Sequence, residues 1–163
     1  MFYRTGYNTI LRLLNNETSP RPRERIFEIL HSNIKVQLEN CDESGATPLI
    51  IAMLMDDLEL MKLLISAGAN VNVVDKVMGS PLHIASFIND IDMVEMLLKA
   101  GAEPNIRNLE SYIPLHYAVA YASLDLINIL IENGADPNLT GKYNFNAFEY
   151  GNLVNEILSL GQD

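Results

Sequence analysis

Three segments of the chain repeat one another at a fixed interval of 33 residues, and this period constrains the fold more than any other feature. Thr47-Pro48-Leu49-Ile50-Ile51-Ala52 returns as Ser80-Pro81-Leu82-His83-Ile84-Ala85, and again as Ile113-Pro114-Leu115-His116-Tyr117-Ala118. Each is followed by an apolar helix-like run and then by a Gly-Ala pair, at Gly68-Ala69, Gly101-Ala102 and Gly134-Ala135. Asn72, Asn105 and Asn138 share the interval. A unit of this length cannot bury its apolar face alone, so a chain built this way stacks its units into an array.

Within each unit the residue types predict helix, tight turn, helix and loop. Thr47 before Pro48, and Ser80 before Pro81, set a capping hydroxyl ahead of a proline at the first helical position. Ile113 holds that place in the third unit and cannot cap, which predicts a less sharply started helix. Asp56-Asp57, Asn89-Asp90 and Ala122-Ser123 fall at the turn between the helices. The second helices carry the apolar stripes Leu60-Met61-Leu64-Ile65, Met93-Val94-Leu97-Leu98 and Leu126-Ile127-Leu130-Ile131, each spaced to face a neighbouring unit. Gly68, Gly101 and Gly134 end these helices where a positive φ is needed.

The T-P-L-H-x-A pattern on this period resembles the ankyrin repeat, across about two thirds of the chain. The resemblance implies an all-α ankyrin-repeat solenoid of helix-turn-helix repeats with short β-hairpin fingers. Residues 1–163 then form a single ankyrin-repeat domain. Residues 42–74, 75–107 and 108–140 are full repeats. Residues 1–41 are an N-terminal helical cap, because the terminal unit of a stack has one face without a neighbour. The cap is expected to hold a helix over 2–16, with Ile10, Leu11, Leu13 and Leu14 inward. A break at 15–22 follows, then a second helix opened by Ser19-Pro20 with Ile26, Phe27, Ile29 and Leu30 inward. Residues 141–163 are a truncated C-terminal cap. Asn146-Ala147-Phe148-Glu149-Tyr150-Gly151 keeps the register but has lost the proline and histidine, and its second helix is expected near 153–160.

Composition excludes several classes. Hydrophobic residues make up 48% of the chain, ample for a core. No apolar run reaches the roughly 18 residues of a membrane span. The first residues lack a basic start followed by an apolar core, so no secretory signal is expected. Cys41 is the single cysteine, which excludes an internal disulfide and a cysteine-based zinc site and fits a cytoplasmic protein. Residues 1–41 hold six Lys/Arg against four Asp/Glu, whereas residues 42–163 hold five against seventeen. So acidic a body does not suit a phosphate backbone and no nucleic-acid partner is expected. It suits a basic protein partner, and equally plain solubility.

No catalytic motif is present: there is no Gly-rich phosphate loop, G-x-S-x-G elbow or H-E-x-x-H pair. The acidic pairs Asp56/Asp57 and Asp90/Asp92 lack the alternating ligands of a calcium loop. Neither a metal nor a cofactor is expected. His31 has no acidic or cysteine partner at metal spacing, and Cys41 reads as an inert thiol. His83 and His116 lie in the repeat motif. The resemblance implies a structural role for them, hydrogen-bonding neighbouring loops, and a structural role for Gly68, Gly101 and Gly134.

The resemblance also implies a concave face, lined by first helices and finger tips, that binds a partner protein. Residues outside the motif report on that face. Leu54 and Met55, Phe87 and Ile88, and Ala120 and Tyr121 are placed toward the groove. Ala46, Lys76, Val77, Met78, Leu109, Tyr112, Tyr143 and Phe145 are placed at its finger rim. Such an apolar and aromatic lining marks an interaction site. Its centre is expected at Phe87, Ile88 and Tyr121, with Glu43, Lys76, Arg107 and Glu110 as rim charges. The bland alternative is that these side chains pack within the stack.

The expected function is a non-enzymatic protein-protein interaction module. It is an inhibitor or immunity-type protein of a basic target, or an effector or adaptor. A self-assembling subunit, forming a homo-oligomer through the same groove, is the alternative. An enzyme would need a cleft of titratable residues with shifted pKa values, which the motif histidines do not supply.

Overall fold

The computed structural model describes residues 38–121 and 123–160, together with Glu24, Ile26 and Glu28. The expected helix over 2–16, the break after it, Phe27, Ile29, Leu30 and His31 lie outside the described residues. The chain divides into two compact units, residues 1–70 and 71–163. Seven helices are bounded among the described residues.

In the 1–70 unit, α1 (Pro48–Leu54) packs on α2 (Leu58–Ser66). Thr47 caps α1 by accepting the Ile50 N–H at 3.5 Å, with Pro48 at the first turn. Asp56 takes a positive φ of 55°, and Asp57 then caps α2 by accepting the Leu60 N–H at 3.0 Å. Leu49, Ile50, Met61 and Leu64 are fully buried, as is the helical Ile26. Glu39 occupies the place one period before Asn72, and its carboxylate accepts the Asn70 N–H at 2.8 Å.

In the 71–163 unit, α3 (Pro81–Ile88) is followed by α4 (Ile91–Lys99), α5 (Pro114–Tyr121) by α6 (Leu124–Glu132), and the chain closes on α7 (Ala147–Leu160). Helix α5 lies between α3 and α7, while α4 touches α6. Asp90 and Ser123 cap α4 and α6 through the N–H groups of Met93 and Leu126. Asn89, at φ 59°, makes the turn into α4 and also accepts the N–H and hydroxyl of Ser123 in the next repeat. The helix-ending Gly68, Gly101 and Gly134 have φ of 94°, 90° and 96°, conformations that an L side chain resists.

A side-chain ladder ties the repeats of this unit together. Asn72 donates to the Gly101 carbonyl at 3.1 Å and accepts the Glu103 N–H at 2.8 Å. Asn105 makes the same pair with Gly134 and Asp136, both at 2.8 Å. Asn138 instead bonds within its own turn, to Asp136.

Four local expectations are revised. Helix α5 starts on register at Pro114 although Ile113 cannot cap: the His116 N–H turns back to the Ile113 carbonyl at 3.0 Å, and His116 Nδ1 accepts the Ile113 N–H at 3.2 Å. The fourth unit does not break into two helices. At the register of Asp57, Asp90 and Ser123 stands Glu156, which caps poorly and propagates helix, so α7 runs on for 14 residues. The fourth stripe position is only partly covered: Ile65 and Leu98 are half-buried and Ile131 is 38% exposed. The fingers are closed by turns rather than by paired strands, with one isolated antiparallel bridge, Thr140–Asn146, among the described residues.

Side-chain acceptors shape those turns. Asp42 Oδ1 accepts the N–H groups of Ser44 and Ala46. Asp75 Oδ1 accepts those of Val77, Met78 and Gly79 at 3.0, 2.7 and 2.7 Å. Asn108 Oδ1 accepts those of Glu110 and Tyr112. These three positions again lie one period apart.

Candidate functional site

The candidate site lies in the 71–163 unit, where the ends of α3 and α5, the body of α7 and the finger loops carry the aromatic residues. Phe87 and Tyr121 meet edge to face, 5.2 Å between ring centres, and remain 41% and 45% exposed. Ile88, at the end of α3, is 47% exposed. In an edge-to-face pair the edge of one ring packs on the face of the other, and both Phe87 and Tyr121 still keep more than two-fifths of their surface open. On the fingers, Val77 and Leu109 are each 73% exposed and Tyr143 is 63% exposed. Lys76 and Glu110 are exposed beside them.

Other expected site residues lie elsewhere. Tyr112 is not on the rim: it is 6% exposed, and its ring is tilted against Tyr150 at 4.8 Å and His116 at 5.1 Å. Its ring also covers Gly141, where a Cβ would collide with it. Ala46 and Ala120 are buried, too small to reach past their neighbours, and Met78 and Phe145 are half-buried. Leu54 and Met55 are exposed at the end of α1, in the 1–70 unit. Arg107 is exposed but committed, donating to the carbonyls of Ser111 and Thr140 at 2.6 and 2.7 Å.

Two aromatic residues missing from the sequence reading belong to the site. Tyr117 stands edge-on to Phe87 at 6.2 Å and to Tyr112 at 6.4 Å, and its hydroxyl accepts a hydrogen bond from Asn108 at 3.0 Å. Tyr150 lies tilted against Tyr112 at 4.8 Å between ring centres and edge-on to His116 at 5.8 Å. Both were hidden inside the repeat motif, whose positions were all assigned to the interior. The available signal was the register itself, since Ile51 and Ile84 give way to Tyr117 and then Tyr150. Burial raises the pKa of the Tyr117 phenol, helped by the charges of Glu110 and Asp75, and pushes that of Tyr150 up to about 12. Both are neutral hydroxyls at physiological pH.

The histidines sit beneath this layer. His83 Nδ1 accepts the Ser80 N–H at 3.1 Å and lies 2.8 Å from its hydroxyl, so the ring proton belongs on Nε2. Nε2 donates to the Tyr112 carbonyl at 2.9 Å, fixing the next finger loop. Loss of water around the buried ring pushes its pKa down to about 4, outweighing that hydrogen bond and the nearby Asp75 charge. His116 repeats the arrangement one unit later, with Nε2 donating to the Phe145 carbonyl at 3.2 Å, and burial again lowers its pKa. A neutral ring committed at both nitrogens is held in place and has no nitrogen to offer a substrate. Gly79 lets the fingers close on it, for a Cβ there would come within 2.8 Å of Asn108 Cβ and 3.1 Å of the His83 ring.

A family model described as ankyrin repeats (3 copies) matches residues 6–108 and 80–141. The chain belongs to the ankyrin repeat family. Ankyrin repeats are generally protein-protein interaction modules, and the family is generally non-enzymatic. No curated protein matches this ankyrin-repeat chain. Among the described residues no helix is long and apolar enough to cross a membrane.

Proposed function

We propose that this ankyrin-repeat protein binds a partner protein, without catalysis, through the face centred on Phe87, Ile88 and Tyr121. The observation that carries the reading is the edge-to-face Phe87–Tyr121 pair, left more than two-fifths exposed on a chain of net charge −10. Exposed aromatic anchors with a polar surround concentrate binding energy. Val77, Leu109, Tyr143 and Lys76 extend the contact along the finger loops, and Leu54 and Met55 offer a further apolar contact on the 1–70 unit. The repeat ladder holds the backbone beneath these side chains, which lowers the entropic cost of docking.

The acidic body favours a basic partner, with an inhibitor, an effector and an adaptor all compatible with the same contact, and the lone cysteine fits the cytoplasm. The test is an affinity capture from the native lysate with wild type and Phe87→Asp/Tyr121→Asp side by side. Loss of the captured protein by a double mutant whose circular dichroism and melting point are preserved supports the face. A folded double mutant that captures as wild type does would refute it.

A second reading is self-assembly. Leu124, Ile157 and Leu158 are 76%, 59% and 55% exposed. They lie on α6 and on the end of α7. Sedimentation velocity across a concentration series distinguishes it: a concentration-dependent dimer abolished by Ile157→Lys/Leu158→Lys would place the contact there.

A further inference from the structure

The ring contacts of the candidate site run as an open circuit: Tyr121 to Phe87, Phe87 to Tyr117, Tyr117 to Tyr112, and Tyr112 to Tyr150. On the finger side of the circuit opens a pocket of about 380 Å³. Three of the tyrosines, Tyr112, Tyr117 and Tyr150, line it, together with the loops 75–79 and 108–110. We propose that this pocket receives a cationic side chain, an arginine or a lysine of the partner protein, between the tyrosine rings and the Glu110 carboxylate. The inference rests on the reading of the aromatic face as a protein-binding surface and adds the chemistry of what that surface takes.

Three observations support a cation. The aromatic part of the lining is tyrosine, whose ring faces are electron-rich and attract an ammonium or guanidinium. The Tyr117 hydroxyl is engaged by Asn108, so that ring meets a ligand through its carbon framework. The charged lining comprises two carboxylates, Asp75 and Glu110, against one ammonium, Lys76. Asp75 is buried with Oδ1 committed to three backbone N–H groups, so it contributes through its charge. Both carboxylates help raise the Tyr117 pKa, behind the larger effect of burial.

Glu110 is the group a cation would meet. Its carboxylate is half exposed and pairs with Lys142 Nζ at 2.9 Å. An exposed pair of this kind is weak. A planar guanidinium can displace the lysine and gain a second parallel hydrogen bond. The excess of acid over residues 42–163 draws cations toward the mouth as the partner approaches. An apolar side chain would fill the space but gain nothing from either carboxylate.

The test uses the full chain and a defined probe, the tripeptide acetyl-Gly-Arg-Gly-amide. Its counterparts carry citrulline, which keeps the shape without the charge, or norleucine, which is apolar. Binding is followed by the aromatic carbon-proton resonances of the tyrosines. The arginine peptide should shift Tyr117 and Tyr150 with a Kd of about 1–10 mM, as expected for a single side chain. Citrulline should bind about tenfold more weakly, the scale of one partly desolvated cation–π contact. Glu110→Gln should weaken the arginine peptide several-fold, and Lys142→Met should tighten it. Both residues are exposed, so these variants test the idea without endangering the fold.

Equal binding of citrulline or norleucine would overturn the proposal in favour of a pocket that reads shape, and no tyrosine shift with any probe would remove the site. Either result leaves the affinity capture with Phe87→Asp/Tyr121→Asp standing on its own. Loss of capture in that variant alongside a silent pocket would separate the two readings.

Discussion

Acidification should weaken this fold through His83 before most carboxylates titrate. The ring is 1% exposed and its pKa is held down to about 4, against 6.5 for a free histidine. Between those values the unfolded chain binds a proton that the native one refuses, so stability is complete above pH 6.5 and falls as the pH drops toward 4. From about pH 7.5 to about pH 5 that shift removes ~2 kcal/mol. For a chain of this length the loss corresponds to a fall in Tm of about 4–8 °C. His116 acts in the same direction. Urea unfolding of wild type and His83→Gln at both pH values isolates the term, because the carboxylates and the net charge change alike in both. The variant should start less stable at neutral pH, having lost the ring that ties Ser80 to the Tyr112 carbonyl, and should lose ~2 kcal/mol less on acidification. An identical pH response in the two proteins would show that His83 titrates freely, and the account of a buried, doubly committed ring would fail.

The remaining predictions concern local contacts. Gly141→Ala drives a methyl into the Tyr112 ring and should cost about 1–3 kcal/mol in urea unfolding; an unchanged midpoint would mean that the ring has room to move. Asp75→Ala strips the acceptor from three backbone N–H groups and should cost about 1–3 kcal/mol, with faster amide exchange confined to residues 77–79. Asn105→Ala removes the rung to Gly134 and Asp136 and should cost about 1–2 kcal/mol. Asn138→Ala, whose side chain bonds only to its own turn in this structure, should change the midpoint far less.

Much of the fold is legible in the sequence because its devices are local. A hydroxyl or carboxylate before a helix, a proline at its first position and a glycine after its end act within a few residues. Thr47-Pro48, Asp57, Asp90 and Gly101 are found doing what their types dictate, whereas the Ser80 hydroxyl lies 2.8 Å from His83 Nδ1. Ile113 shows where that logic fails: with no capping hydroxyl, the His116 N–H bonds the Ile113 carbonyl, its ring bonds the Ile113 N–H as His83 does at Ser80, and the helix keeps its register. The candidate face was less legible. Phe87, Ile88 and Tyr121 stood out as apolar residues beyond the motif, but Tyr112 was placed at the rim and is buried. Tyr117 and Tyr150 were absorbed into the motif although they belong to the aromatic circuit. The sequence places a residue on a repeat, but it does not show how far a long side chain reaches across the space between two repeats.

The 33-residue period, the helix-turn-helix pattern of the three full repeats and the family are properties of the sequence by itself, because repetition forces those units into the same short-range solution. Tertiary structure alone decided the register-spanning contacts. These include the Asn72 and Asn105 rungs, the reach of His83 to the Tyr112 carbonyl, and the contact of Tyr150, on α7, with the Tyr112 ring. Each such contact joins residues 29 to 38 positions apart in the chain. Only the stacking of one repeat on the next brings them within hydrogen-bonding or ring-contact distance.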